Sequence, residues 1–148
     1  MEADIINQLN EVIAAYPNTT SGCRAVYYKA YILYNVEKYD EAIQLYNYFI
    51  KKYNNSALVG KAYYSLSYCY EIKGDTDKAV ETLIAFEKKN AKSYYIPMFD
   101  YRIANLYEGK DNAKAIEYYK KIVDSDENTS IKQTAKTRLA VIENQLTF

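Results

Sequence analysis

The chain has 148 residues, of which 49% are apolar and 26% charged, a globular balance at a length that fits one domain without disulfide or metal staples. Lys+Arg and Asp+Glu both number 19, so bulk charge supplies no phosphate-neutralising face, and no nucleic-acid partner is expected. Histidine is absent and only Cys23 and Cys69 carry thiols, which excludes imidazole catalysis, the Ser-His-Asp triad, His-ligated metals and any zinc or redox cysteine motif.

Residues 4–15 form the first predicted helix, with Ile5, Leu9 and Val12 on one face. Aligned through Tyr16 and Tyr53, these three fall on the positions of Ala42, Tyr46 and Phe49. The chain therefore opens with what the later units use as a second helix, without a first helix before it. Either this is a native cap or the chain was cut from a longer protein. The cut is the favoured expectation, because a lone helix leaves one flank of a helical stack uncovered.

Three helix–turn–helix units follow at 24–52, 60–89 and 97–124. The first helices carry Tyr27 to Val36, Tyr63 to Ile72 and Asp100 to Glu108. The second begin at Tyr39-Asp40-Glu41-Ala42, Thr76-Asp77-Lys78-Ala79 and Asn112-Ala113-Lys114-Ala115. Ala42, Ala79 and Ala115 recur at spacings of 37 and 36 residues, marking a close helix crossing. Large apolar residues stand four and seven positions later on the same face: Tyr46 and Phe49, Leu83 and Phe86, Tyr119 and Ile122. Gly74-Asp75 and Gly109-Lys110-Asp111 supply breakers inside units, and Pro97 suits the start of its helix. The turn is expected to be one residue shorter in the first and third units than in the second. A last helix at 131–146 presents Ile131, Ala135, Leu139, Ile142 and Leu146 on one face, with Lys132, Lys136 and Glu143 outside, as a solvating cap.

The combined pattern over roughly 24–123 resembles the tetratricopeptide repeat, whose 34-residue unit places an aromatic, Leu, a small residue and Tyr on helix A, then Ala and an aromatic on helix B. Tyr63, Leu66, Ser67, Tyr70, Ala79, Leu83 and Phe86 carry the match in the second unit. Tyr27, Ala30, Tyr31, Tyr34, Ala42, Tyr46 and Phe49 carry it in the first; Ile103, Ala104, Tyr107, Ala115, Tyr119 and Ile122 in the third. The departures are the longer period, the uneven turns, and Asp100 where the third unit should lead with an aromatic. The longer period and Tyr-Pro-like loop starts look like bacterial envelope members, such as the TolA-binding coordinator and BamD-type lipoproteins. The resemblance implies an all-α, right-handed solenoid of about three repeats with flanking half-repeat helices, no enzymatic activity and no cofactor.

Possible chemistry is sparse. Asp124, Asp126, Asn128 and Ser130 begin like a calcium loop, but Thr129 and Ala135 stand where that loop needs Gly and Glu. Helix capping explains the acidic run better. No Gly-rich phosphate loop and no paired carboxylates in a recognisable frame are present. Asn18-Thr19-Thr20, Asn54-Asn55-Ser56 and Asn128-Thr129-Ser130 match the glycosylation acceptor, as Asn-rich loops do by chance. No apolar run approaches the roughly 20 residues that span a bilayer, so no direct membrane insertion is expected. The compartment stays open: bacterial periplasm or outer-membrane periphery if a leader was removed, cytoplasm otherwise.

The resemblance also implies a concave face, lined by the helix A segments, that takes a protein or peptide segment. Carried over residue by residue, it comprises Tyr28, Ile32, Lys61, Tyr64, Tyr68, Met98, Tyr101, Arg102 and Asn105. An ungapped register in the first repeat exchanges Tyr28 for Tyr27 and Ile32 for Tyr31. Of the five positions that clamp a partner's terminal carboxylate in some members (Tyr28, Ile32, Ser65, Met98 and Arg102), only Arg102 fits, so that mode is not expected. Tyrosine gives rigid contact area with a hydroxyl at small rotamer cost, which suits an extended apolar or proline-bearing segment. With nineteen tyrosines in the chain, packing between repeats or codon usage is the competing explanation. Tyr34, Tyr70 and Tyr107 are assigned to the core. A second functional reading is self-assembly, in which the exposed flank of the first helix drives a homo-oligomer.

Overall fold

A computed structural model describes residues 1–126 and 130–146. The parts of the calcium-loop, capping and third-sequon readings that concern Glu127, Asn128 and Thr129 lie outside the described residues. Among the described residues every regular element is an α-helix: α1 (Glu2–Ala15), α2 (Thr20–Asn35), α3 (Tyr39–Lys52), α4 (Val59–Ile72), α5 (Thr76–Lys89), α6 (Ile96–Tyr107), α7 (Asn112–Asp124) and α8 (Ser130–Leu146). The chain divides into two compact units, Met1–Thr82 and Leu83–Phe148, with the boundary inside α5.

Local chemistry sets the helix ends. The Thr19 hydroxyl accepts from Gly22 N at 3.1 Å and starts α2. Asp75 and Asp111 accept from Lys78 N and Lys114 N, each at 3.1 Å, and start α5 and α7. Each such cap satisfies an amide that the helix leaves without an internal partner. At the other ends, α2 and α4 close identically. Lys38 N donates to Leu33 O and Glu37 N to Tyr34 O, while Asp75 N donates to Tyr70 O and Gly74 N to Glu71 O. This double bond pattern requires a left-handed residue, filled by Gly74 (φ 80°) in one case and by Glu37 (φ 62°) in the other. The first turn is therefore as long as the second, contrary to the shorter first turn expected from sequence. Without a glycine at position 37, the left-handed residue carries no mark in the sequence. α6 ends differently: Lys110 N and Asp111 N both donate to Tyr107 O.

In the first unit, α1 packs on α2, α2 on α3 and α3 on α4. The core joins Val26, Ala30 and Leu33 of α2, Ala42, Tyr46 and Phe49 of α3, and Ala62, Leu66 and Cys69 of α4. Ala42, Tyr46 and Phe49 are fully buried, as their spacing demands. In α1, Leu9 and Val12 of the expected face are half-buried, but the face is shifted at its start. Ile5 is exposed, and Ile6 and Ile13 pack against the core instead. Paired apolar residues at 5–6 and 12–13 allowed either choice from spacing alone.

In the second unit, α7 packs on both α6 and α8. Ala104, Ala115, Tyr119, Ile122, Ala135 and Ile142 are buried together, with Ile131 and Leu139 half-buried against them. Leu146, expected on the inner face, is exposed at the last residue of α8. Phe86 and Phe99 are both buried, with ring centroids 4.7 Å apart.

Tyr34, Tyr70 and Tyr107 are half-buried rather than inside the core. They lie against its edge, where Lys78 sits 5.8 Å over the Tyr70 ring and Lys114 4.9 Å over Tyr107. An ammonium over an aromatic face is attracted by the ring quadrupole, which leaves these rings one solvated side.

Candidate binding face

In the first unit the helix A surfaces belong to α2 and α4. Tyr28 and Tyr31 stand out of α2 with 50% and 47% of their surface exposed, although a ring of this size normally seeks cover. Tyr28 is backed by a buried aromatic base. Tyr27 is buried, its ring edge-on to Tyr28 at 5.6 Å, to Tyr46 at 6.0 Å and to Phe49 at 5.8 Å. Burial, opposed by Ser65 of α4, pushes the Tyr27 hydroxyl above its ordinary range, and burial does the same for Tyr46, so both stay neutral.

On α4, Tyr64 and Tyr68 are half-buried and paired one helical turn apart. Their rings are 5.1 Å apart at 71°, and their hydroxyls meet at 3.4 Å. Lys61 is exposed one turn earlier, and Ile32 is half-buried on α2. The matching turns of α2 and α4 align Glu37 with Gly74, the ungapped register, in which Tyr31 corresponds to Tyr68. Tyr31, given from sequence only as the alternative to Ile32, is the more exposed of the two.

The second unit carries the remaining candidates on α6. Met98 and Tyr101 are half-buried, with the Tyr101 ring edge-on to Tyr119 at 5.8 Å. Asn105 is exposed but already engaged, its Oδ1 accepting from the Tyr119 hydroxyl, which also lies 2.9 Å from Glu108 Oε2. Arg138 of α8 pairs with Glu108 and ties the cap helix to this network. Arg102, the one residue that fitted a carboxylate clamp, is buried at 6% exposure and is not displayed to a partner.

Cavities also lie away from this face. One of about 390 Å³ in the first unit is lined by inter-repeat loop residues including Thr19, Cys23, Arg24, Tyr53 and Ser56. Cys23 Sγ is 3.3 Å from Ser56 Oγ there. Burial pushes the Cys69 thiol up to about 11, which leaves it an unreactive core group. Among the described residues no cluster of three or more His, Cys, Asp or Glu is placed to hold a metal ion, and no helix is long and apolar enough to cross a membrane. The sequence suggested no paired carboxylates in a recognisable frame, yet Glu87 of α5 and Asp100 of α6 converge on Lys121 of α7. Their separation along the chain hid the pair.

The repeat architecture has many relatives of known structure. The Yersinia enterocolitica type III secretion chaperone SycD, in complex with a peptide of the translocator YopD, superposes with a TM-score of 0.69 at 16% identity, over 86% of this chain and 96% of SycD. MamA does so with a TM-score of 0.69 at 18% identity, over 96% of this chain and 77% of MamA. A putative Podospora anserina kinesin light chain with TPR-like repeats gives 0.69 at 15% identity, over 97% and 78%. At these identities the likeness shows the fold, an all-α array of helix–turn–helix repeats. No curated protein matches the sequence. Two tetratricopeptide repeat profiles match residues 27–94 and 100–129, well over half of the chain. The chain belongs to the tetratricopeptide repeat family.

Proposed function

We propose that the protein is a non-catalytic scaffold that holds an extended segment of a protein partner on the tyrosine-bearing face of α2 and α4. The observation that carries this reading is the exposure of Tyr28 and Tyr31 on α2, Tyr28 set against the buried Tyr27 ring, together with the Tyr64–Tyr68 pair on α4. Rings fixed from beneath lose little rotamer freedom on binding, so most of their contact area counts towards affinity. Lys61 adds one exposed positive charge, which suits a segment with an acidic or carbonyl-rich flank. A structural relative, SycD, is itself described with a bound peptide, which supports the class of partner. Met98, Tyr101 and Asn105 form the corresponding part of the second unit in this reading.

The test is a double substitution, Tyr64→Ala with Tyr68→Ala, in a chain whose helicity is checked by circular dichroism. Loss of two central aromatic anchors costs on the order of 100-fold in affinity or more. Unchanged affinity for a captured partner would remove this face from the account.

A second reading, self-association through α1, rests on that helix having no fully buried residue and on Ile5 being 42% exposed. Light scattering separates the two, because self-assembly requires a stable oligomer and partner capture does not.

A further inference from the structure

We propose that Glu87, Asp100 and Lys121 form a proton-linked latch in the second unit, joining α5, α6 and α7 while one proton is shared between the two carboxyls and loosening them when that proton leaves. Three observations converge on it. Asp100 stands where the repeat pattern calls for a leading aromatic, yet it is 3% exposed. Lys121 Nζ lies 2.5 Å from Asp100 Oδ1 and 3.4 Å from Glu87 Oε2, so a single ammonium serves two carboxyls from two other helices. Glu87 Oε1 is buried without a hydrogen-bond partner, the condition of an oxygen that carries a proton or suffers for lacking one.

Charge accounting decides the protonation. Two carboxylates and one ammonium leave a net negative charge on carboxyls whose side chains are only 14% and 4% exposed, beside a half-exposed Lys121, which is costly for the carboxylates. One proton on Glu87 cancels it and turns a repulsive carboxylate pair into a hydrogen-bonded one. The other ionisable groups nearby do not neutralise the site. Lys92 and Asp126 share the adjoining cavity with Asp100 and Lys121, and they carry opposite charges. Tyr118 of α7 is half-buried and is itself pushed above its ordinary range by burial and by Glu87. Lys88 and Lys89 are exposed at the end of α5, and Lys132 of α8 is engaged by Ser125 O at 2.5 Å.

Burial first, and the Asp100 charge second, raise the Glu87 carboxyl to about 7, with Lys121 opposing. Burial also raises Asp100, again against Lys121. Both folded values are raised, so the stabilisation is complete below the ordinary carboxyl range and is lost as pH climbs through about 7. The cavity of about 350 Å³ bordered by Ile96, Pro97, Asp100, Lys121 and Ile122 lies against the latch, so its walls loosen with it.

The test pairs a carboxyl-carbon NMR titration of Glu87 in the full chain with urea unfolding at pH 5 and pH 8. The proposal expects Glu87 to titrate well above the ordinary glutamate range. It also expects the unfolding constant to rise tenfold to a hundredfold, roughly, from pH 5 to pH 8. In Glu87→Gln, which mimics the protonated acid, that rise should largely vanish. An ordinary titration of Glu87, or the same rise in the variant, would overturn the proposal. Should Glu87→Gln fail to fold, the titration of the native chain decides alone.

Discussion

Replacing Gly22 by alanine tests the tightest backbone approach in the first unit. Gly22 is buried in the first turn of α2, directly over the end of α1. A Cβ built there would sit 2.0 Å from the Tyr16 carbonyl oxygen, 2.9 Å from its carbon and 3.3 Å from Pro17 Cα. Cβ contacts under 3.0 Å are essentially never seen, and these neighbours are backbone atoms that cannot rotate away. The same carbonyl accepts from Thr19 N at 3.2 Å and Thr19 Oγ1 at 2.8 Å. Moving it strains the loop that also caps α2. Overpacking of this kind costs about 1–3 kcal/mol, and a weakened hydrogen bond adds about 1 kcal/mol. The better helix propensity of alanine returns up to about 1 kcal/mol. The net expectation is a loss of about 1–4 kcal/mol. It would be read as a lower urea midpoint at unchanged slope, with Ser21→Ala as the exposed neighbouring control. A midpoint equal to or above that of the native chain would refute the close-approach argument.

The remaining predictions follow the same logic. Glu37→Gly should stabilise the chain by about 0.5–1 kcal/mol, because it removes a left-handed non-glycine residue from an exposed turn at the modest entropic cost of glycine; a lower thermal midpoint would count against it. Tyr119→Phe should cost about 1 kcal/mol, since the hydroxyl serves Asn105 and Glu108 from an otherwise buried ring. Denaturant unfolding checks this, and no change would mean that water replaces the hydroxyl without loss.

Much of the fold was legible because it is written in repeated small residues. The three alanines at the helix crossings are fully buried, and so are the large residues placed after them by helical spacing, save for Phe86 and Ile122 at 2% exposure. What escaped the sequence has identifiable causes. The length of the first turn depended on Glu37 taking a conformation usually marked by glycine. The inner face of α1 was ambiguous because apolar residues come in adjacent pairs there. Among the candidate site residues, Tyr28, Lys61 and Asn105 are exposed, whereas Arg102 is buried. Helical periodicity reports which face a residue occupies and says nothing about how deeply a neighbouring element covers it. The Glu87–Asp100–Lys121 cluster was invisible for a related reason: its members come from three helices, and only folding brings them within ion-pair distance.

Partner binding by the exposed tyrosines is the property to measure first. Its most direct test compares capture by the native chain with capture by a Tyr28→Ala, Tyr31→Ala and Tyr64→Ala variant, the fold of each verified by circular dichroism. Titration calorimetry on the identified partner would follow. A protein retained by the native chain alone is expected, with affinity reduced on the order of 100-fold or more in the variant. Equal capture and equal affinity would contradict it and move the contact to another surface.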